Sequence, residues 1–316
     1  MILDVSVATD RMMTSLVPEF FAQTRDRLGE SPMWHAGEQA IYWVDVYGPI
    51  LHRMRAGQPV ENWTIPGTEF ISSFVFVRGG RLMLSVDTGL VLFDPATSSF
   101  TPFCDPNAGR EAVLYNDSKL DRYGRLWVGT LDLACAEPRG ILYCVDVTGR
   151  ATVGDSGFTA CNGPAFSPGG DVLYFSDSYG RRILAYDLAP DSPLLRNRRV
   201  FASITVDDGI PDGLTVDAEG GVWCAHYGAS RLTRYAPDGG VVSVIELPCP
   251  AVTSMCLGGP DMTTLFVTTG WSPGVQKADD EQGPGGSLFA IETGIPGLRE
   301  AEFPLTRDQA PKTGLI

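Results

Sequence analysis

Four polar residues occupy equivalent positions in a repeated pattern, and their side chains carry the oxygens that bind hard metal ions. They are Glu30, Asn116, Asn162 and Asp212, and each precedes a large aromatic residue by 11 to 13 positions. The aromatic partners, in the same order, are Trp43, Trp127, Tyr174 and Trp223. Two carboxylates and two amide oxygens would neutralise and coordinate one divalent cation, and such donors suit calcium, magnesium or manganese. Zinc and ferrous iron stay open, although the set contains no histidine or cysteine.

Each of these residues also has an ordinary structural interpretation. Asn-Asp, Asn-Gly and Pro-Asp-Gly are common turn sequences, so any one of them alone more often indicates a turn than a ligand. The shared position in four repeats is what favours a site, because equivalent positions of a rotational repeat face the same axis. Without a cation, two carboxylates forced together in a partly dry channel would be costly.

The elements that position these residues form six units. A glycine-containing turn followed by a short apolar strand recurs along the chain, and one large residue marks each strand. The markers are Trp43, Met83, Trp127, Tyr174, Trp223 and Phe266, with gaps of 40, 44, 47, 49 and 43 residues. A period of about 45 residues is typical of a β-propeller blade. The sequence therefore predicts an all-β, six-bladed β-propeller with four antiparallel strands per blade.

A propeller has to close its ring, often by combining strands from both ends of the chain. The segments VPEFFAQTR (17–25) and GSLFAIETG (286–294) are predicted to meet there. No linker separates the repeats, so we expect one domain over residues 1–316, with a short extension at about 1–16 and a tail at about 304–316.

Composition excludes several classes of function. Lys and Arg total 24 against 38 Asp and Glu, a formal net charge of −14, whereas a nucleic-acid binder needs a basic face. We therefore expect no nucleic-acid partner and no attraction to an anionic membrane. No apolar stretch reaches the roughly 18 residues of a transmembrane helix, and the N-terminus lacks the basic start and apolar core of a signal peptide. These features predict a cytoplasmic protein whose seven cysteines, none in a CxxC pair, are reduced thiols.

Five phrases of the sequence occur together and in a fixed order. They are GESPMW (29–34), Asn116-Asp117 followed by DRYGRLWVGT (121–130), NGPAFSPGGDVLYFSDS (162–178), PDGLTVDAEGGVW (211–223) and YAPDG (235–239). In these phrases the chain resembles the family of senescence marker protein 30, gluconolactonase and luciferin-regenerating enzyme, over residues 27–295. The resemblance implies a six-bladed propeller with one divalent metal near its axis. It also implies hydrolysis of a lactone, most often a sugar lactone.

The resemblance implies a role for each of the four polar residues. Glu30, Asn162 and Asp212 match the family's metal ligands, and Asn116 matches an asparagine that touches substrate or metal. In such a site the cation polarises the ester carbonyl and a water attacks it. Asp212 is the candidate catalytic general base, or it acts as a ligand only, because a carboxylate bound to a cation has a lowered proton affinity.

Two positions depart from the sugar-lactone members of the family, and both concern substrate recognition. Leu114 stands where those members often carry an arginine, and Leu133 and Ala134 stand where they often carry an acid, with Asp132 nearby. Since the lost groups would bind sugar hydroxyls, we expect a substrate other than a gluconolactone-like sugar, with fewer hydroxyls. Leu114, Asp132 and His226 are the further candidate substrate-binding residues. His226 is either a proton shuttle or a hydrogen-bonded histidine at a strand end.

Three functions fit this pattern. The first is a metal-dependent lactonase that takes a small-molecule lactone and acts as a monomer or a small homo-oligomer. The second is a non-catalytic propeller that binds calcium or a small ligand. The third is a related metal-dependent hydrolase of phosphoesters or other esters. Fold alone does not separate them, since propellers host many functions.

Overall fold

A computed structural model describes residues 16–271 and 283–305 of the chain. These residues form 24 β-strands and contain no α-helix. The strands are grouped in six separate sheets of four, with antiparallel pairing inside each sheet. The prediction of an all-β, six-bladed β-propeller with four antiparallel strands per blade is confirmed.

The first five blades each take four consecutive strands, of which the first is innermost and the fourth outermost. The first blade has β2 (Gly29–His35), β3 (Ala40–Asp45), β4 (Ile50–Arg55) and β5 (Glu61–Thr64). The second has β6 (Ile71–Val77), β7 (Arg81–Val86), β8 (Gly89–Asp94) and β9 (Ser99–Cys104). The third has β10 (Val113–Leu120), β11 (Leu126–Asp132), β12 (Gly140–Val145) and β13 (Ala151–Phe158). The fourth has β14 (Cys161–Phe166), β15 (Val172–Asp177), β16 (Arg182–Ala189) and β17 (Ser192–Ser203). The fifth has β18 (Ile210–Val216), β19 (Val222–Tyr227), β20 (Arg231–Tyr235) and β21 (Val241–Glu246).

The sixth blade joins the two ends of the chain, as the sequence predicts. It contains β22 (Val252–Gly258), β23 (Thr264–Thr269) and β24 (Leu288–Glu292), and β1 (Glu19–Ala22) completes it on the outside. Each innermost strand contacts the innermost strand of the next blade, and β22 contacts β2. The six inner strands therefore surround one axis.

A buried aspartate anchors the recurring tryptophan in two blades and explains the spacing of the sequence repeat. Trp127 and Trp223 donate their indole N–H to Asp121 and Asp217, each over 2.9 Å. The same aspartates accept backbone N–H groups from the turn between them and the tryptophan. Because both indoles are fully buried, these hydrogen bonds satisfy a polar atom that packing alone would leave unpaired.

The C-terminal segment 295–305 crosses the end of the ring where the first and second strands of the blades turn. Its backbone bonds to Ala218 of the fifth blade, Met262 of the sixth and Phe76 of the second. Leu305, which falls in the expected tail, is fully buried, and the tail from 306 lies outside the described residues, as does the extension before 16. This segment closes one end of the axis and leaves the other end for a ligand.

Two expectations from the sequence, on transmembrane helices and on cysteines, can be compared with the structure. Within the described residues, we find no helix long and apolar enough to cross a membrane. All seven cysteines fall in the described part of the chain and are free, with five of them buried.

A buried ion pair lies where the first blade meets the closing blade. His52 Nε2 is 3.1 Å from Asp26 Oδ1, and His52 Nδ1 is 2.6 Å from Asn62 Oδ1. Asp26 also accepts the indole N–H of Trp43, and its own backbone N–H bonds to the carbonyl of Gly286 beside β24. Burial lowers the pKa of His52, but the hydrogen bond and charge of Asp26 outweigh burial and raise the pKa above its usual 6.5.

We predict that this pair makes stability depend on pH. A histidine whose pKa is raised by folding contributes stability that is fully present below pH 6.5 and is lost as the pH rises through the folded-state pKa. Replacing His52 with glutamine (His52→Gln) should therefore lower the free energy of unfolding most near pH 6, by on the order of 3 kcal/mol for a broken buried pair. The loss should be smaller at pH 8.5. Thermal unfolding across this range measures the difference, with His35→Gln as the partly exposed control. A difference that grows with pH would contradict the assignment.

Candidate active site

The four predicted polar residues project from β-bulges at the same place in four innermost strands. The strand register shifts between Glu30 and Met33 in β2, and it shifts around Asn116 in β10. It shifts again directly after Asn162 in β14 and around Asp212 in β18. A bulge re-aims a side chain and is common beside active sites. Four bulges in register therefore turn four side chains toward the axis.

These bulges correct the position that the sequence suggests. Their neighbouring residues are typical of turns, whereas the structure places all four inside the first strand of their blades. The reason is local backbone geometry, because a bulge uses the same residue types as a turn. Ser31 and Gly163, which directly follow Glu30 and Asn162, have left-handed φ values of 49° and 50°.

All four side chains line one cavity of about 370 Å³ at the open end of the axis. We call Glu30, Asn116, Asn162 and Asp212 the hub site. Around it the cavity is lined by aromatic side chains that lie at or just after the end of the second strand in four blades, which we call the aromatic collar. The collar consists of Tyr47, Tyr179, Tyr227 and Trp271. Tyr47 and Tyr179 are nearly half exposed while Glu30 and Asp212 are 8% exposed, so the collar surrounds the mouth and the carboxylates lie at the bottom.

The carboxylates at the bottom of the cavity carry unbalanced negative charge. Burial, followed by repulsion from Asp212 and Asp117, raises the pKa of Glu30 well above 4.5. Burial and the charge of Asp117 likewise raise the pKa of Asp212 well above 3.8. No positively charged group of the described residues offsets either carboxylate, and Asp212 makes no side-chain hydrogen bond within them. The site is therefore electrostatically complementary to a cation.

The two asparagines are oriented by their amide groups. Asn116 Nδ2 donates to Asn162 Oδ1 and also to the backbone carbonyl of Cys161, the latter over 2.9 Å. Asn162 Nδ2 donates to Ser178 Oγ over 2.9 Å. Asn162 Oδ1 keeps a second lone pair, and Asn116 Oδ1 accepts no hydrogen bond within the described residues. Each asparagine can therefore offer oxygen to a ligand in the cavity.

The donor set fits a hard divalent cation. No group of three or more His, Cys, Asp or Glu side chains in metal-binding geometry occurs in residues 16–271 and 283–305. The hub site needs no third acidic side chain, because its two carboxylates balance a charge of +2 and amide oxygens are accepted ligands of calcium, magnesium and manganese. Glu30, Asn162 and Asp212 are the residues that would hold the ion.

Three predicted substrate-binding residues lie outside the cavity lining. Leu114 pairs with Leu131 across β10 and β11, and Leu131 lines the cavity in its place. Asp132 accepts the backbone N–H groups of residues 136 and 137, so its carboxylate holds a turn. His226 is fully buried with Nδ1 2.8 Å from a backbone carbonyl, and burial lowers its pKa to about 4. These positions give no support to substrate contacts by the three side chains.

The structure also brings in residues that the sequence pattern does not assign to the site. Asp117 lies directly after Asn116, and its only sequence signal is the Asn-Asp dipeptide. Burial raises the pKa of Asp117 to about 6. The aromatic collar was not assigned to the site, although each of its members follows a marker residue of the repeat by four or five positions.

The fold and site together define a class of protein, a six-bladed propeller with an oxygen-rich ligand site at one end of its axis. Comparison with known proteins gives the family. Residues 28–270 match the SMP-30/gluconolactonase/LRE-like region, and the chain belongs to this family. The resemblance seen in the five sequence phrases is confirmed.

The relatives of this chain include curated enzymes and a solved structure. L-arabinolactonase of Azospirillum brasilense is 31% identical over 290 residues, which cover 89% of this chain and 94% of that protein. The 6-deoxy-6-sulfogluconolactonase of Pseudomonas putida is 30% identical over 278 residues, covering 87% and 94%. The crystal structure of regucalcin, a calcium-binding protein of Agrobacterium tumefaciens, superposes with a TM-score of 0.87 at 25% identity, covering 92% and 98%.

We predict that neutralising one hub carboxylate stabilises the protein when metal is removed. The folded state raises the pKa of Asp212, so metal-free wild type loses stability as pH rises from about 4 through that pKa. In EDTA at pH 8, Asp212→Asn should unfold roughly 2 °C or more above wild type, and the gap should narrow toward pH 5. Thermal unfolding measures this, with the exposed Asp207→Asn as control. A metal-free variant less stable than wild type at pH 8 would contradict the charge repulsion.

Proposed function

We propose that the protein is a divalent-metal-dependent lactonase, a carboxylic ester hydrolase that opens a small lactone to the hydroxy acid. The observation that carries this proposal is the pair of buried carboxylates, Glu30 and Asp212, that meet in one cavity where no cationic side chain of the described residues offsets their charge. Relatives that are lactonases align along nearly the whole chain and supply the reaction class.

The chain's own residues divide the work of the reaction. Glu30, Asn162 and Asp212 hold the cation, which when bound polarises the lactone carbonyl and stabilises the negative charge that develops on its oxygen. One oxygen of the Asp212 carboxylate is sufficient to bind the cation, so the other oxygen can accept the proton of the attacking water. Asn116 presents its Oδ1 to the same cavity and can orient that water or a substrate hydroxyl.

The proton removed from the attacking water is returned to the product by way of Asp212. The water oxygen bonds to the carbonyl carbon, and its proton passes to Asp212. The ring C–O bond then breaks, and the departing ring oxygen takes the proton back from Asp212, which restores the carboxylate. The product is an open-chain hydroxy acid. His226 contributes no proton in this scheme, because it is buried away from the cavity lining.

The composition of the cavity supports a substrate with few hydroxyls. Recognition of sugar hydroxyls relies on charged and amide side chains, whereas the mouth of this cavity presents the aromatic collar together with Leu131 and Ile210. Arg27 is the one cationic residue in the lining, and its guanidinium lies over the ring of Tyr47 and bonds to the Tyr47 carbonyl. The walls therefore offer apolar surface to the part of the lactone beyond the ring carbonyl.

A second candidate function is a non-catalytic calcium-binding propeller. The likeness to regucalcin, a calcium-binding protein with 25% identity, favours it. A binding protein and a lactonase would both hold a cation at the hub site, so turnover is the property that separates them.

Acid release from lactones tests the proposed reaction. We expect turnover in a pH-stat assay, its loss after treatment with EDTA, and its recovery with Mn²⁺, Ca²⁺ or Zn²⁺. Asp212→Asn should lower kcat by about 100-fold or more, because it removes the general base. Turnover that survives complete chelation would contradict the metal dependence. Tight Mn²⁺ binding without turnover of any lactone would favour the binding protein, and turnover of phosphoesters alone would favour a different hydrolase.

A matched substrate panel tests the substrate preference. We expect kcat/KM for dihydrocoumarin or an alkyl-substituted γ-lactone to exceed that for gluconolactone by about 10-fold or more, since the collar favours apolar groups. Tyr179→Ala should reduce this preference chiefly by raising KM. The control is Tyr123→Ala, which removes an exposed tyrosine at the opposite end of the ring. Gluconolactone as the best substrate by a wide margin would refute the preference.

A further inference from the structure

A buried carboxylate that the proposed reaction does not use lies beside the hub site. Asp117 follows Asn116 in β10 and is 6% exposed. Its Oδ2 accepts the backbone N–H of Gly163 over 2.7 Å. Ser31 lines the same small internal cavity as Asp117 and Gly163, and its hydroxyl opposes the rise in the pKa of Asp117. The other acceptor near that hydroxyl, the carbonyl of Ser72, is 3.4 Å away, close to the limit of a hydrogen bond.

Both partners of Asp117 are bulge residues that directly follow a proposed metal ligand. Ser31 follows Glu30 in the first blade, and Gly163 follows Asn162 in the fourth. Both residues have left-handed φ values, a conformation that a non-glycine residue such as Ser31 keeps only when its surroundings hold it. One carboxylate from the third blade therefore contacts the bulges of two other blades.

The bulge at Gly163 is also packed against the bulge of the third ligand. A Cβ added at Gly163 would lie 2.8 Å from the backbone carbonyl of Asp212 and 2.5 Å from the backbone nitrogen of Leu214. The backbones of the fourth and fifth blades thus meet without a side chain between them. A shift of Gly163 would displace the Asp212 bulge as well as Asn162.

We infer that Asp117 is a positioning residue whose carboxylate fixes the bulges next to Glu30 and Asn162 and so sets the spacing of the hub site. A carboxylate accepts from the Gly163 N–H and from the Ser31 hydroxyl without either group having to turn, whereas an amide satisfies both only if the hydroxyl turns its O–H away. An asparagine would turn an amide N–H toward one of them. The inference rests on the proposed function for the identity of the ligand, a divalent cation held by Glu30, Asn162 and Asp212.

Titration of Mn²⁺ into the EDTA-treated full chain by calorimetry tests this role without any substrate. We expect Asp117→Asn to weaken Mn²⁺ binding by about 10- to 100-fold, the usual cost of losing a group that orients metal ligands. The matched control is Asp121→Asn, a fully buried aspartate just beyond the same strand that bonds to Trp127. The control should lower the unfolding temperature and keep the wild-type Kd per folded molecule.

A second variant keeps the test independent of folding defects. Ser31→Ala should weaken Mn²⁺ binding by a smaller factor, and the double variant should bind no more weakly than Asp117→Asn, since both changes break the same connection. Wild-type Kd values in both single variants would overturn the positioning role and leave the lactonase proposal standing. If the losses of Mn²⁺-binding free energy in the two single variants add up in the double variant, the positioning role would also be overturned, because Asp117 and Ser31 would then act independently. Wild-type protein that binds no Mn²⁺ would overturn both this inference and the metal-dependent function.

Discussion

Negative charge buried at the end of the propeller axis is the constraint on which the rest of this structure depends. Glu30 and Asp212 come from blades far apart in sequence, yet they share one cavity, and no positive side chain of the described residues offsets either one. Folding alone gains nothing from bringing such groups together, because each carboxylate loses water and gains repulsion. The divalent cation that we propose would offset this cost.

The fold supplies the rigidity that this arrangement needs. The ring is closed by pairing β1 with β24, and each inner strand packs against the next, so no blade can move away from the axis without losing contacts with its neighbours. Buried aspartates hold the tryptophans of the blades, and the segment 295–305 covers the far end of the axis. The bulges then aim individual side chains. Rigid sheets thus withstand the repulsion, while small local irregularities set the chemistry.

The repeat made most of this architecture predictable from the sequence. Six large residues at similar gaps were sufficient to predict the number of blades, and polar residues 11 to 13 positions before four of them identified the side chains that share the cavity. The bulges were not predictable, because residues such as Ser31 and Gly163 have the composition of turns. Asp117 was noticed only as the neighbour of Asn116 and was given no role, because its partners are distant in sequence. The aromatic collar was not assigned, although its members follow the marker residues by four or five positions. Leu114 shows that matching a family position does not place a side chain in the cavity, and Asp132 and His226 show that closeness to the site in sequence does not do so either.

Anomalous diffraction from crystals grown with Mn²⁺ tests the central claim most directly. We expect one strong anomalous peak in the cavity, contacted by carboxylate oxygens of Glu30 and Asp212 and by the amide oxygen of Asn162. Crystals of the Glu30→Gln variant grown under the same conditions should show a weaker peak at that position. A peak elsewhere, or a hub site that binds no manganese while its carboxylates are ionised, would contradict the claim.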